Sequence, residues 1–560
     1  MVNRGPASRS KQGDGNRPCN GCRKRGVDCA YAELPTFLAT REWNPVEAGY
    51  VSRDLETSED AAATTDRSRG PMSISFVNET HRIESNYTII SADEHTPDTA
   101  SSSASLSHHT PNYSSLQHSP PIVVSSDLSP HGGPQPQPQP QTVAPFPLVN
   151  PITSPPDAFF MNRYCTVIGP WFDLFDFRRR FSLEVPHLAL QNRLLLLSAM
   201  ACAARQHHLT SAQPVKTALT YYDEALQLLG VSLKDFSRSS SAAVFASCLL
   251  LAHCEMIGAS TRDWHLHLSG ALSLVTTHGW HRCTAGLGQA CLWIYYRMDI
   301  LSSLATAEST RLQTNFWDTA GDGVSWTIES WSNHAVLLLA EVHNLLCDVR
   351  EGNGLFESLF ERWQKLGERI ELHEQSQPLE FQPLAVLDAE PSNEKNPFPS
   401  VSYINEAVSA AMQMFDLARL LHILARPERS HQERAARLVR NGEIAEIYVV
   451  RVIANSITNR GAINWANAVQ LLHTAGMALV GWVRRKALLG CLEDIQAATG
   501  WNTRHNIDAL LDWWGWTAPL RQRGQTWREV SEEIGPRHRI GEFLLRIFET
   551  KGLKESNLEI

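Results

Sequence analysis

The sequence predicts a mainly all-α protein, on three observations. From about residue 157 onward, apolar residues recur three and four apart, the spacing of one helix face. Alternating, strand-like runs are nearly absent from the same part of the chain. The stretch before it, residues 32–155, is rich in Ser, Pro and Gln and carries too little apolar surface to offset chain entropy. A helical body over 156–555 behind a long disordered linker is therefore expected.

Within the body, Leu190, Leu194, Leu197, Ala201 and Ala204 step by 4, 3, 4 and 3, which predicts a buried helix from Leu188 to Ala204. Met414, Leu417, Leu421 and Leu424 repeat the rhythm. Further helices are predicted near Ala218–Leu229, Ala242–Met256, Trp264–Thr276, Leu292–Ala307, His334–Val349, Glu433–Ile457 and Asn467–Leu489. The Pro- and Glu-rich stretch Ser376–Ser400 predicts a long loop inside the helical region. In the linker, the Pro-Gln alternation of Pro134–Gln141 favours extended conformers and makes a spacer. The linker's Thr96-Pro97, Thr110-Pro111, Ser119-Pro120, Ser129-Pro130 and Ser154-Pro155 read either as proline-directed phosphorylation sites or as pairs that such a composition produces by itself.

At 560 residues the chain exceeds one ordinary domain, and 43% apolar content suffices for a sizeable core. The net charge of −9 is unevenly spread: residues 1–30 hold seven Lys/Arg against two Asp, a net of +5, which leaves −14 on the other 530. A short basic head on an acidic body is expected where only the head meets a polyanion. The longest nearly apolar run, Leu194–Ala204, has 11 residues and is interrupted by Ser198, well short of a membrane span, so no membrane partner is expected. The N-terminus is polar and lacks a signal-peptide core. Eleven cysteines are too sparse for a disulfide scaffold.

Three of those cysteines crowd into the head. Cys19 and Cys22, then Cys29 after six residues, form a C-x2-C-x6-C spacing. A C-x2-C pair turns two thiolates onto one cation, and Gly21 eases the turn. Arg23, Lys24 and Arg25 lie between the second and third thiol, where positive charge lowers thiol pKa and can also face phosphates. Three thiolates leave a tetrahedral zinc one ligand short, and the nearest histidine is His81.

The segment Asp14-Gly15-Asn16-Arg17-Pro18-Cys19-Asn20-Gly21-Cys22-Arg23-Lys24-Arg25-Gly26-Val27-Asp28-Cys29-Ala30-Tyr31 resembles the second half of the fungal binuclear zinc cluster. In that family six cysteines hold two zinc ions. The resemblance implies that Cys19, Cys22 and Cys29 are metal ligands and that Arg9, Arg17, Arg23, Lys24 and Arg25 face DNA. It makes residues 1–31 a partial zinc-cluster DNA-binding segment. The family pattern places three earlier cysteines where this sequence has Asn3, Pro6 and Gly13. The first half also carries the basic helix that reads a CGG triplet. Only Arg9 falls in its register, with Ala7, Ser10 and Gln12 at the other basic positions. Two explanations stay open: a first half missing from this reading of the gene, favoured by the join at Gly13-Asp14, or a regulator that has lost its cluster.

The body carries a resemblance of its own. Trp171-Phe172-Asp173-Leu174-Phe175-Asp176, Arg180-Phe181 and Val185-Pro186 are similar to the opening of the fungal-specific transcription factor domain. So are Tyr221-Tyr222, Asp263-Trp264-His265 with His267 and Gly270, and the tract Trp293, Tyr295, Arg297, Asp299. Within the family the body resembles regulators of arginine catabolism and of cutinase-type genes. The resemblance implies a helical regulatory domain, a nuclear location, CGG-containing promoter sites and the transcription machinery as partners, and a small-molecule effector. The rival from another class is a helical interaction protein with no DNA contact.

Other chemistry finds little support. His265 and His267 are two apart and point about 200° apart on a helix, so they do not grip one ion. His278, His281 and Cys283 add no metal motif, and no phosphate loop or nucleophile elbow occurs, so no enzyme is expected. Cys248 and Cys254 read as core thiols. Trp264, Trp280, Trp293, Trp317, Trp326 and Trp331 read as core aromatics, or else as walls of an effector cavity. Arg178-Arg179-Arg180 reads as a solvated helix face rather than an import signal, and Arg297 with Asp299 as a solvated pair rather than a buried one.

Overall fold

In the computed structural model, residues 151–211, 215–258, 264–280, 285–312, 326–390, 393–395 and 397–550 are described. The zinc-cluster segment, with Arg9, Arg17, Cys19, Cys22, Arg23, Lys24, Arg25 and Cys29, lies outside them, as does the linker up to residue 150.

The described chain is helical almost throughout. Helix α1 (Pro155–Arg163) starts with a proline in its first turn, where no N–H is needed, and Ser154 Oγ accepts from Asp157 N at 3.2 Å. A π turn (Tyr164–Ile168) and the short turn Gly169–Phe172 continue it. Gly169 is required there because a Cβ would stand 3.0 Å from the Ser182 backbone. Then come α2 (Arg180–Ala189), α3 (Arg193–Thr210), α4 (Lys216–Leu233), α5 (Ala242–Gly258), α6 (Trp264–Thr277) and α7 (Gly286–Thr306). Helices α8 (Ile328–Glu351) and α9 (Phe356–Gln375) precede a two-stranded antiparallel ribbon, β1 (Ala385–Leu387) with β2 (Ser400–Ser402), Val386 opposite Val401. The chain ends in α10 (Glu406–Leu424), α11 (His431–Arg440), α12 (Gly442–Thr458), α13 (Ala462–Gly476), α14 (Trp482–Thr499), α15 (Arg504–Trp513), α16 (Thr517–Arg523) and α17 (Ile540–Glu549).

Two helices organise the packing. Helix α3 is buried from Leu194 through Ala204, more than the single stripe its spacing predicts, because α2, α4 and α5 enclose it. Helix α10 is buried on all sides, between α8, α12 and α13. Among the described residues it is the one helix long and apolar enough to cross a membrane, and 83% of that apolar stretch is buried inside the protein. Its Met414, Leu417, Leu421 and Leu424 lie in a core that is continuous from Met161 to Phe548.

Several boundaries differ from expectation, each for a local reason. The helix predicted from Leu188 begins at Arg193, because Asn192 is extended and its Oδ1 accepts from Leu195 N at 3.1 Å. Glu433–Ile457 divides at Asn441, which ends α11. Asn467–Leu489 divides at Met477–Gly481, where Gly481 takes φ 87°. The predicted loop Ser376–Ser400 contains β1 and leads into β2, the strands found among the described residues.

Candidate regulatory site

Charged groups buried in an apolar helix need partners, since each unpaired one costs several kcal/mol. Every residue of α7 from Ile294 to Leu304 is buried, and two of them are Arg297 and Asp299. They are therefore not the solvated pair expected from their spacing. Two apart on the helix, they also point to different sides. Asp299 Oδ2 accepts from the N–H groups of Arg311 at 2.8 Å and Leu312 at 3.1 Å, and its Oδ1 meets Arg311 Nη1 at 2.7 Å. Burial still pushes its carboxyl pKa up, with Arg311 opposing.

Arg297 turns the other way. Its Nη2 donates to the carbonyls of Trp171 at 3.1 Å and Phe172 at 3.0 Å, which lie at the negative C-terminal end of the Gly169–Phe172 turn. The guanidinium lies 5.4 Å from the Phe175 ring centroid. Burial pulls its pKa down to about 10, the Asp173 charge opposing, so it remains a cation at neutral pH.

The turn that Arg297 holds is built by two aspartates. Asp173 accepts from Phe181 N and Ser182 N, both at 2.7 Å, and from Ser182 Oγ at 2.5 Å, which fastens the start of α2. Burial pushes it up to about 6, with those hydrogen bonds opposing. Asp176 pairs with Arg180 at 2.7 Å. Arg180 is thus buried, and Arg179 takes a left-handed φ of 53° before α2 begins. The basic triplet is a turn with one buried member, not a solvated helix face.

Two clefts flank Arg297. The first, about 270 Å³ including its open mouth, is lined by Phe172, Asp176, Arg180, Trp293, Glu329 and Asn333. The second, about 340 Å³ on the same basis, is lined by Trp171, His253, Met256, Met298, Asn467 and Trp501. Most of that space is open mouth: the room inside is about 10 Å³ in the first and 20 Å³ in the second, far below ordinary ligand sites. His253 is packed edge-on against Trp171, Phe172 and Trp501, at centroid distances of 5.8, 4.9 and 5.5 Å. Burial first, and Arg297 second, pull its pKa down to about 3, so the ring is neutral. Its Nε2 has no hydrogen-bond partner among the described residues.

The remaining candidates are structural. His267 Nε2 meets the Tyr222 hydroxyl at 2.8 Å, and His278 Nε2 meets Ser239 Oγ at 3.0 Å. The His265 side chain, His281 and Cys283 lie outside the described residues. Among the described residues no group of three His, Cys, Asp or Glu is placed to hold a metal. Cys248 and Cys254 are buried thiols, as expected. Trp331 is fully buried and stacked on His373 at 4.0 Å, while Trp280 and Trp326 pack against the core. Trp293 does line a cleft; Trp317 and the Trp264 side chain lie outside the described residues. His253 and Trp501, which the sequence reading did not single out, wall the second cleft. A histidine inside the apolar run Ala242–Ile257 was the available signal.

The described chain is thus an almost entirely helical domain in which a buried arginine ties the first turns to a central helix. The chain belongs to the Fungal specific transcription factor domain family, which matches residues 158–533, more than half of its length. It is similar to the Transcription activator AMTR1 of Alternaria alternata, 22% identical over 338 residues that cover 49% of this chain and 44% of that protein. The chain thus matches less than half the length of that curated relative. No solved structure matches.

Proposed function

We propose that the protein is a nuclear, zinc-dependent, DNA-binding regulator of fungal transcription rather than an enzyme. The observation that carries this reading is the pairing, in one chain, of a transcription factor domain over 158–533 with the Asp14–Tyr31 segment and its three cysteines. Cys19, Cys22 and Cys29 would hold zinc, which folds the segment. Arg17, Arg23, Lys24 and Arg25 would meet phosphates, positioning the protein without specifying sequence, while Arg9 stands where base-reading begins. CGG-containing promoter sites and the transcription machinery are the partners this reading assigns. The helical domain, with clefts meeting at Arg297, would gate the head in response to an effector.

Asn3, Pro6 and Gly13 favour one second reading, a helical interaction protein whose head no longer binds DNA. Titration of the full chain, zinc supplied, against a CGG duplex and a scrambled duplex separates the two. Binding of the CGG duplex about tenfold or more tighter supports the proposal. Equal binding establishes the second reading instead.

A further inference from the structure

We infer that the cleft walled by Trp171, His253 and Trp501 binds a small apolar monocarboxylate, its carboxylate seated between the Arg297 guanidinium and His253. This identifies the effector class for the gating role proposed above, and rests on that reading.

Three features point to this ligand. First, Arg297 is a buried cation that forms no ion pair among the described residues. Of its N–H donors, those on Nη2 are taken by two backbone carbonyls. Asp173, whose charge acts on it, is already committed to Phe181 and Ser182. Second, His253 is 7% exposed and its Nε2 makes no hydrogen bond among the described residues, a cost that a structure relieves by supplying a partner. Arg297 and His253 line the same cleft. A carboxylate oxygen accepts from a guanidinium N–H that the carbonyls leave free, on Nη1 or Nε, and the group has lone pairs left for an imidazole N–H.

Third, apart from Asn467 the rest of the wall is apolar, with Met256, Met298, Leu301 and Trp501 among it. Thioether side chains repack easily around a guest. The room inside is about 20 Å³ as folded, so the apolar part of the guest enters as Met256 and Met298 move aside. The wall draws on segments far apart in sequence. Trp171 comes from the first turns of the domain, His253 from α5, Met298 from α7, and Trp501 from the segment after α14. Asn502 N donates to Ile257 O at 3.0 Å, which holds that last segment against α5. A carboxylate that engages Arg297 shares the group holding the Trp171–Phe172 turn, so occupancy and the conformation of that turn are linked.

The test uses the full chain with benzoate and 3-phenylpropionate, against benzyl alcohol and 3-phenylpropanol as uncharged counterparts. Tryptophan emission and the thermal midpoint are read together. The expected result is a saturable change with the acids, at affinity about tenfold or more above the alcohols. Arg297→Gln removes that preference. His253→Phe weakens the acids, and Met298→Trp, which fills the cleft, abolishes saturation. Should Arg297→Gln fail to fold, the wild-type comparison and the other two variants still decide. Equal binding of acids and alcohols by the wild type, no binding of either, or wild-type affinity in the folded His253→Phe and Met298→Trp chains overturns the inference. The CGG-duplex titration on the same sample keeps the two readings apart. Duplex binding without acid binding overturns this inference alone. Acid binding without duplex binding overturns the DNA-binding reading alone.

Discussion

Arg311 closes over Asp299: its Nη1 stands 2.7 Å from Asp299 Oδ1, while its own backbone N–H donates to Oδ2 at 2.8 Å. One carboxylate therefore anchors the chain leaving α7 through both side chain and backbone. Asp299→Asn keeps the shape and one accepting oxygen but removes the charge. The Arg311 side chain is 16% exposed and can turn to water, so the loss falls below that of stranding a fully buried charge. The expected cost is about 2 kcal/mol, read as a lower urea midpoint with an unchanged slope. A shift under about 0.5 kcal/mol would show that the two backbone hydrogen bonds suffice without the ion pair.

Stability should fall steeply as the medium turns acid. Burial holds His253 down to about 3 and His267, His334, His343 and His473 down to about 4, against an ordinary 6.5. A folded value below the unfolded one contributes stability that is present above pH 6.5 and lost as pH falls toward 4. Asp173 and Asp416 act oppositely: burial pushes both up to about 6 from 3.8, so the folded state takes their protons first and gains as pH falls through 6. Five histidines outweigh two aspartates by roughly three protons between pH 6 and 4, a slope of at most about 4 kcal/mol per pH unit. Urea midpoints at pH 7, 6 and 5 measure it. In His343→Gln the amide can replace the 2.8 Å contact of Nε2 with Glu308 O without titrating, and the slope should drop by about one proton. Constant stability from pH 7 to 5 would rule out this origin.

What the sequence made legible follows from periodicity. Met414 to Leu424 announced α10 because a helix buried on every side still shows its 3–4 rhythm. Asn192, Asn441 and Gly481 set ends that periodicity passes over, because capping depends on one side chain or one φ rather than on pattern. Helix α9 was legible in principle from Leu359, Leu366 and Ile370, but its exposed charged face dilutes the signal. The site was less legible. Arg297 and Asp299 stood in a recognised tract, yet their burial arises from α5, α8 and α13, distant in sequence. For Arg180, spacing predicted a helix face; the Asp176 carboxylate four residues earlier draws it inside.

Glycine at two helix ends separates backbone strain from steric overlap. Gly500 follows α14 at φ 77°, and a Cβ there would stand 2.9 Å from Leu209 Cβ and 3.2 Å from Thr210 Cγ2. Gly524 follows α16 at φ 61° with nothing near. Alanine at a left-handed position costs roughly 1 kcal/mol. Gly524→Ala should therefore lose about 1 kcal/mol. Gly500→Ala should lose about 2–3, because α3 and α14 are fastened there by Gln206 Nε2 donating to Thr499 O at 3.0 Å and cannot part freely. Thermal midpoints of the two variants give the difference. Equal losses would mean that the α3 end yields to the added methyl.

Thiol labelling connects the helical domain to the proposed head. Of the eleven cysteines, Cys202, Cys248, Cys254, Cys291, Cys347 and Cys491 are buried. Burial also pushes the thiols of Cys202 and Cys347 up and that of Cys491 to about 12, leaving almost no reactive thiolate at neutral pH. Cys165 is half-buried, and its thiol too is raised by burial, so it reacts slowly and serves as an internal reference. In the native full chain, fast alkylation should therefore report on Cys19, Cys22 and Cys29, and on Cys283, which lies outside the described residues and is read separately. With zinc supplied, Cys19, Cys22 and Cys29 should label at least about tenfold more slowly than after chelation, because a metal-bound thiolate is withdrawn from reaction. The six buried thiols should stay silent in both states until denaturant is added. Mass spectrometry of the labelled peptides reads every position at once. Equal labelling of Cys19, Cys22 and Cys29 with and without zinc, while the six stay protected, would leave the helical domain intact and remove the metal from the head.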